Sequence, residues 1–219
     1  MLCIKITCGA ERQFIARRRE TALTGKRQQI DLKRKRILKA ARKVFAQKGY
    51  RETDVQEIAD IARVGKGTVY RYFGDKKGLF LATVDEGVGE LQETVLSAIF
   101  STEDTKKRLE SAARAYLQFF DKNKDLLEIF IQERSEFRGR EKSTYFKRRD
   151  EKIEILRDIL RKGVKEGTFR KLNVRITAEL MTDLIFGTVV ADVMRGRGRR
   201  LAARAKYLVD FVWHGILKE

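Results

Sequence analysis

The side chains best suited to binding chemistry lie close together, where basic and hydroxyl-bearing residues are interleaved with glycine. Lys66, Thr68, Tyr70 and Arg71 all fall within two turns of a helix, with Gly67 among them. Lysine and arginine neutralise phosphates, and Thr and Tyr hydroxyls donate hydrogen bonds to phosphate oxygens. A glycine near a helix start lets backbone N–H groups approach an anion. The combination favours contact with a phosphate-bearing polymer.

The surrounding pattern predicts two short helices joined by a tight turn. Thr53 and Gln56 match a capping box that would start the first helix, and its apolar face would consist of Val55, Ile58, Ala59 and Ala62. The second helix would begin near Lys66 and bury Val69 and Phe73. This arrangement is a helix-turn-helix over about 55–74, whose second helix enters the major groove.

A third helix follows directly, with Asp75 as its expected N-cap. It could continue to about Phe100, a length of roughly 37 Å at 1.5 Å per residue. The third helix would therefore belong both to the helix-turn-helix region and to the rest of the chain.

The stretch from Thr53 to Phe80 resembles the TetR (tetracycline-repressor-like) family of bacterial transcriptional regulators. The family signature is apolar-Ala-x-x-Ala-Gly-Val-Ser-x-Gly-x-apolar-Tyr-x-x-Phe-x-x-Lys. The residues that match it in register are Ile58, Ala59, Ala62, Val64, Lys66, Gly67, Thr68, Val69, Tyr70, Arg71, Tyr72, Phe73, Asp75, Lys76 and Phe80. Two positions depart from it, because Arg63 replaces the turn glycine and Gly65 replaces the capping serine. A non-glycine residue at a positive φ would cost about 1 kcal/mol.

The resemblance implies that the second helix reads double-stranded DNA. Tyr70 and Lys76 match positions that hold the DNA backbone, whereas Lys66, Thr68 and Arg71 can face base edges in the major groove. The predicted DNA-binding residues are Arg36, Thr53, Lys66, Gly67, Thr68, Tyr70, Arg71, Tyr72 and Lys76.

The charge distribution agrees with a nucleic-acid partner. The 219 residues carry a net charge of +18, and residues 1–53 hold 16 Lys and Arg against 4 Asp and Glu. A basic segment ahead of a helix-turn-helix favours DNA, although a solvated tail is the alternative. We expect residues 1–31 to be a mobile basic extension or to precede the true start of translation.

Composition predicts an all-α fold and excludes several classes of protein. Proline is absent, and apolar residues recur at three- and four-residue spacing. Cys3 and Cys8 have no further ligand nearby and His214 lies far away in the sequence, so no metal site is expected. No phosphate loop or His-based acid/base pair suggests an enzyme. His214 is expected in an apolar helical seam. No cofactor and no membrane segment are expected, and the natural compartment is the cytoplasm.

The remaining periodicity divides the chain into two predicted domains. Residues 32–92 form the three-helix DNA-binding domain, whose first helix would run from Leu32 to Lys48 and end at Gly49. Residues 93–219 form a helical effector-binding and dimerisation domain. Its helices are predicted near 105–121, 125–137, 144–166, 173–194 and 201–217.

In the TetR family the C-terminal helices usually enclose a pocket for a small-molecule effector. The candidate effector-binding residues are Tyr116, Phe119, Phe120, Phe130, Arg134, Met181 and Phe186, and an ordinary hydrophobic core is the alternative. Glu133 and Arg134 fall near the apolar face of their helix, where an ion pair competes with a ligand role. The basic connection at 195–200 is expected to aid solubility.

The last two predicted helices are the most apolar. In the family such helices pair with their copies in a second subunit, and here Leu208, Val212 and Trp213 would form the seam. The sequence therefore predicts a ligand-responsive regulator, most simply a repressor that binds a palindromic operator as a homodimer. The alternative is a basic helical protein that binds nucleic acid without regard to sequence.

Overall fold

The computed structural model describes residues 30–137, 139, 143–195 and 201–216. Within those ranges the chain is helical apart from turns and one isolated bridge residue, Phe169, so the predicted all-α class is confirmed. The helices are α1 over residues 30–52, α2 Val55–Ile61, α3 Lys66–Phe73, α4 Lys76–Phe100, α5 Thr105–Lys122, α6 Lys124–Glu136, α7 Thr144–Lys165, α8 Val174–Met194 and α9 Ala205–Ile216, with a 3-10 helix at Leu201–Arg204. Residues 1–29 of the predicted extension and residues 196–200 of the basic connection lie outside the described residues.

Helix α1 packs on the motif through an apolar stripe, as its periodicity predicts. The buried residues are Ile37, Leu38, Ala40, Ala41, Val44 and Phe45. Gly49 has the positive φ of a helix-ending glycine, 78°, but the helical segment continues to residue 52. The predicted end at Lys48 is therefore wrong, because the chain resumes a helical turn after the glycine.

Helix α2 begins at a different cap from the predicted one. Its N-cap is Asp54, whose carboxylate accepts a hydrogen bond from the Gln56 N–H at 2.8 Å. This bond, with a further contribution from Lys66, lowers the pKa of Asp54. Thr53 is buried, and its hydroxyl donates to the Gly49 carbonyl at 2.6 Å. The capping box at Thr53 is wrong because the Thr53 hydroxyl is used to close the end of α1.

The turn between α2 and α3 requires a left-handed residue. Arg63 occupies it with φ 53°, and the Val64 N–H then reaches the Ala59 carbonyl at 3.0 Å. A side chain at such a φ costs about 1 kcal/mol, since the β-carbon crowds the backbone. The turn therefore keeps the geometry of a glycine turn without the glycine.

Helix α3 begins after Gly65, which offers no side-chain cap. Val69 is fully buried, but Phe73 is only half-buried, contrary to the prediction. The reason is its place in the last turn of α3, where its ring meets Tyr72 and the Arg34 guanidinium at the edge of the core.

Helix α4 joins the motif to the rest of the molecule. Asp75 caps it as predicted, by accepting from the Gly78 N–H at 2.6 Å. A β-carbon at Gly87 would collide with the Leu126 side chain, so α4 and α6 touch at that point. One hydrophobic cluster runs from α1 through α4 to α5, α6 and the 3-10 helix, and the α4 backbone therefore lies inside a continuous core.

Helices α8 and α9 expose a different apolar face from the one predicted. Trp213 is buried, donates its Nε1–H to Glu110 at 2.9 Å and stacks on Phe169, while Leu208 and Val212 are half-buried against the subunit's own cavity. The exposed apolar residues are Ile176, Leu180, Leu184, Met194, Tyr207 and Phe211. The predicted seam is wrong because α9 is apolar on two sides. The side that carries Leu208, Val212 and Trp213 faces the interior of its own subunit. His214 is also exposed rather than in an apolar seam.

Candidate nucleic-acid interface and effector cavity

The outward face of α3 carries the side chains that the sequence singled out. Val69 points into the core, and at about 100° per residue Gly67 and Arg71 lie on the opposite side, flanked by Tyr70 and Thr68. Gly67, Tyr70 and Arg71 are exposed, and Thr68 is half-buried. Gly67, Tyr70 and Arg71 therefore form a short surface of α3 that is exposed among the described residues.

Gly67 has no evident packing role within the part of the chain that the structure describes. A β-carbon built there meets nothing within 4 Å, and its φ lies outside the left-handed region. Glycine in a helix costs roughly 0.5–1 kcal/mol relative to alanine. Its presence on the exposed face is consistent with close approach of another molecule to the α3 backbone.

The basic side chains around α3 differ in the ion pairs and hydrogen bonds that they already form within the chain. Lys66 Nζ lies 3.1 Å from the Asp54 carboxylate, and Lys76 Nζ donates to the Arg51 carbonyl at 2.8 Å above the Tyr50 ring. Within the described part of the chain Arg71 has no ion-pair partner. Since an ammonium has three donors, Lys66 and Lys76 retain capacity for an external acceptor.

Arg36 is also exposed near the start of α1 and has no ion-pair partner within the described ranges. Tyr72 is half-buried against Phe73. Among the predicted DNA-binding residues, Thr53 alone has its side chain buried, with its hydroxyl committed to a backbone carbonyl.

Helix α1 is tied to α6 by a dense polar contact. Arg42 forms a two-pronged pair with the Asp125 carboxylate, at 2.6 and 2.7 Å, and its remaining donors reach Glu90 and Asn123. An Arg–carboxylate pair of this geometry fixes the relative orientation of the two side chains and also contributes binding energy. The first residues of α6 are thereby held against α1.

The far end of α6 makes a second contact with α1 and also reaches the start of α4. Arg51 pairs with Glu136 at 2.9 Å, and the Phe137 ring packs edge-on against Tyr50 with the Lys77 ammonium above it. Helix α6 is thus attached to α1 at both ends.

An apolar cavity is enclosed by the second half of α4 together with α5, α7, α8 and α9. It has a volume of about 190 Å³. Its lining is formed by Val88, Leu91, Gln92, Val95, Leu96, Ile99, Leu109, Ala112, Ala113, Tyr116, Tyr145, Arg149, Lys152, Ile153, Ile155, Leu156, Met181, Thr182, Ile185, Leu208 and Val212. Most of these side chains are hydrocarbon, so the cavity suits an apolar ligand with few polar groups.

Three of the polar groups that line this cavity, Tyr116, Tyr145 and Arg149, lie close together. The Tyr116 and Tyr145 hydroxyls lie 2.8 Å apart, and Arg149 lies close enough to lower the pKa of each phenol. The larger influence is burial, which raises the pKa of Tyr145 to about 12 and that of Tyr116 well above its ordinary value. Both phenols are therefore protonated donors at neutral pH.

Sequence reasoning found Tyr116 and missed Tyr145 and Arg149. Both precede Ile153 at intervals of four residues, so they continue the apolar stripe of α7 toward its N-terminus. That periodicity could have identified them.

The other predicted effector residues divide between cavities and core. Met181 lines the apolar cavity, whereas Phe130, Arg134 and Phe186 line a second, more open cavity of about 940 Å³ that shares Tyr145 and Arg149 with the first. Phe119 and Phe120 are buried in the core cluster and line neither of these cavities.

The adjacent pair Glu133 and Arg134 separates in space. Glu133 is buried, and its carboxylate accepts from the Thr144 backbone N–H and hydroxyl, so it caps the start of α7. Arg134 is exposed and lines the second cavity.

Two negative findings concern the described residues. They contain no group of three or more His, Cys, Asp or Glu side chains that could hold a metal ion; Cys3 and Cys8 lie outside these ranges. None of the described helices combines the length and apolar character that crossing a bilayer requires.

Comparison with known families gives two matches along the chain. Residues 37–83 match the family described as bacterial regulatory proteins, tetR family, and residues 102–189 match the tetracyclin repressor-like C-terminal domain. Together they take in more than half of the chain.

Individual relatives point in the same direction. The chain is 36% identical over 97 residues to the HTH-type transcriptional activator FasR of Mycolicibacterium smegmatis, a stretch that is 44% of each protein. It is 26% identical over 183 residues to the fatty acid metabolism regulator protein of Bacillus subtilis, covering 82% of this chain and 93% of the relative. The crystal structure of the regulator FadR from Bacillus subtilis in complex with stearoyl-CoA superposes with a TM-score of 0.70 at 24% identity, covering 80% of this chain and 95% of that one.

Proposed function

Because the chain belongs to the TetR family of DNA-binding transcriptional regulators, we propose that it is a repressor that binds a palindromic operator as a homodimer and is released by a small-molecule effector. The family consists of regulators rather than enzymes. Residues 32–92 would bind the DNA, and residues 93–219 would bind the effector and the second subunit.

The observation that carries the proposal is the outward face of α3. It presents an exposed Arg71 with no ion-pair partner in the described ranges, next to Gly67, where an added β-carbon would meet no described atom within 4 Å. Thr68 and Lys66 would share base contacts with Arg71, whereas Tyr70, Tyr72, Lys76 and Arg36 would hold phosphates. Thr53 would act only through its position at the base of α2, since its hydroxyl is already bonded.

Two further features support the regulatory part. The apolar cavity lies against α4, the helix that also packs on the motif, so a ligand there can favour one orientation of α4. Two relatives named as repressors, KstR2 of Rhodococcus jostii and NicS of Pseudomonas putida, share 26% and 25% identity with this chain over about 70% of its length. The direction of regulation is inferred from these relatives.

The test compares specific and non-specific binding. An operator is first selected by the protein from random duplexes, and affinity is then measured on this operator and on a scrambled duplex at one fixed salt concentration. We expect Thr68→Ala and Arg71→Ala each to cost roughly 1–3 kcal/mol on the operator and little on the scrambled duplex. Arg161→Ala, which removes a charge from the solvent face of α7, is the matched control and should change neither.

Two outcomes would contradict the assignment of α3. Equal losses on both duplexes would indicate a sequence-indifferent nucleic-acid binder, and no loss in either variant would place the DNA-binding surface elsewhere. The effector part is tested separately, because a ligand that weakens operator binding must itself bind more weakly when operator is present.

A further inference from the structure

The polar end of the apolar cavity holds a hydrogen-bond donor for which the described residues supply no acceptor. Each phenol has one O–H, so the 2.8 Å contact between Tyr116 and Tyr145 uses only one of the two protons. Both side chains are buried, and a buried donor without an acceptor costs free energy. A ligand that brings an acceptor to this point would recover that free energy.

A guanidinium stands at the same end. Arg149 lines the cavity and donates to Asp183 on α8 and to Asp150 on its own helix. The Asp183 side chain is 58% exposed, whereas that of Arg149 is 18% exposed. Arg149 is therefore a largely buried cation that already binds a carboxylate, and that carboxylate reaches it from the solvent side.

We propose that this end of the cavity recognises the carboxylate of a long-chain acid, which replaces Asp183 on Arg149 and accepts the spare phenol proton. The two oxygens of one carboxylate can serve both donors at once. The hydrocarbon chain would lie along the apolar lining of α4 and α7. The inference names the ligand class of the proposed effector site and so rests on the proposed function.

The exchange gives the ion pair between Arg149 and Asp183 a role in ligand binding. A buried guanidinium without a carboxylate is costly, and in this structure Arg149 is satisfied by Asp183 together with Asp150. When the acid enters, its carboxylate binds Arg149 from inside the cavity in place of Asp183. The Asp183 side chain then turns to solvent. The pair Arg149–Asp183, which joins α7 to α8, is then broken.

The test uses two ligands with one chain. Binding of dodecanoate and of dodecan-1-ol to the full protein is measured by isothermal titration calorimetry below their aggregation limits. We expect dodecanoate to bind at least about tenfold more tightly, since a charge-assisted hydrogen bond distinguishes the heads. Arg149→Gln should remove that preference, and Asp183→Asn should raise the affinity for dodecanoate several-fold while leaving dodecan-1-ol unchanged.

The controls distinguish position from general charge. Asp158→Asn removes a carboxylate of another ion pair on α7, with Arg161, and should leave both affinities unchanged. Lys152 is a second cation in the cavity wall and is exposed, so Lys152→Gln tests a rival position for the head. Loss of the preference in Lys152→Gln but not in Arg149→Gln would overturn the proposal.

Further outcomes decide it in the same way. The double variant Tyr116→Phe with Tyr145→Phe should weaken dodecanoate binding and spare dodecan-1-ol. If Arg149→Gln does not fold, Asp183→Asn still decides, because it leaves the guanidinium in place. Absence of dodecanoate binding, or equal affinity for the two ligands, would refute the acid-recognition site.

Operator binding separates this inference from the proposed function. If dodecanoate binds with the expected dependence on Arg149 but leaves operator affinity unchanged, the acid site stands and the proposed effector response fails. If dodecanoate does not bind while another compound releases the operator, the response stands and the acid site fails.

Discussion

At the scale of single residues, Gly67 separates the demands of folding from those of binding. No contact among residues 30–137, 139, 143–195 and 201–216 requires a glycine there, and the helix would be more stable with alanine. We expect Gly67→Ala to raise the free energy of unfolding by roughly 0.5–1 kcal/mol and to weaken operator binding, because the added methyl group stands on the face of α3 that approaches DNA. Urea unfolding and operator titration on the same preparation measure both effects.

The matched control for this change lies in α4. Gly89 is also helical with nothing within 4 Å of an added β-carbon, so Gly89→Ala should bring a similar gain in stability without loss of operator affinity. A Gly67→Ala variant that binds the operator normally would show that the DNA does not approach this part of α3.

Residue patterns predicted some local features and missed others for identifiable reasons. Asp75 and Gly65 were correctly placed at helix starts, since their positions in the pattern leave few alternatives. The sequence could not show which of Thr53 and Asp54 caps α2, because both residue types cap helices and the choice depends on the Gly49 carbonyl beside Thr53. The left-handed φ of Arg63 followed from the family signature and not from the residue itself.

At the scale of elements, α6 contributes Phe130 and Arg134 to the second cavity and is joined to α1 by an ion pair. Helix periodicity gave its approximate bounds, but the attachment through Arg42 and Asp125 joins residues more than eighty positions apart, which no local pattern encodes. The same holds for the inward side of α9, whose two apolar faces are equivalent in sequence and differ only in what packs against them.

The attachment of α6 leads to a prediction about coupling. Asp125→Asn weakens the pair with Arg42, so α1 should follow movements of α6 less closely. We expect the variant to bind the effector with unchanged affinity, while the effector-induced loss of operator affinity becomes smaller by roughly 0.5–2 kcal/mol. Operator titrations with and without a saturating effector give that difference.

A similar change away from α6 serves as the comparison. Glu154→Gln weakens the surface pairs with Arg157 and Arg161 on α7 and should leave the coupling intact. An Asp125→Asn protein that responds to effector as strongly as the parent would exclude this contact from the response.

At the scale of the whole molecule, the exposed apolar residues of α8 and α9 favour a second subunit. Leu180 is 63% exposed and Phe211 is 71% exposed, and burial of such side chains contributes about 25 cal/mol per Å². We expect sedimentation at micromolar concentration to show twice the 25.4 kDa chain mass. The double variant Leu180→Asp with Phe211→Asp should sediment as the monomer.

Phe100 provides the control for the loss of surface hydrophobicity. It is 62% exposed at the end of α4, outside the face formed by α8 and α9, so Phe100→Asp should remain dimeric. A monomeric parent protein would contradict the homodimer and with it the palindromic operator.

The contact of Gly87 with Leu126 lies near the middle of α4 and separates the helix into two segments of similar length. The lining residues that α4 gives to the cavity all follow Gly87 in the sequence, from Val88 to Ile99, whereas Leu79, Phe80 and Val84, which precede it, pack with the motif. At 1.5 Å per residue the two segments measure about 16 Å toward Lys76 and about 20 Å toward Phe100. If α4 rotates as a rigid helix about Gly87, a lateral displacement of its cavity end produces a displacement of nearly equal size at its DNA end. The two displacements have opposite directions.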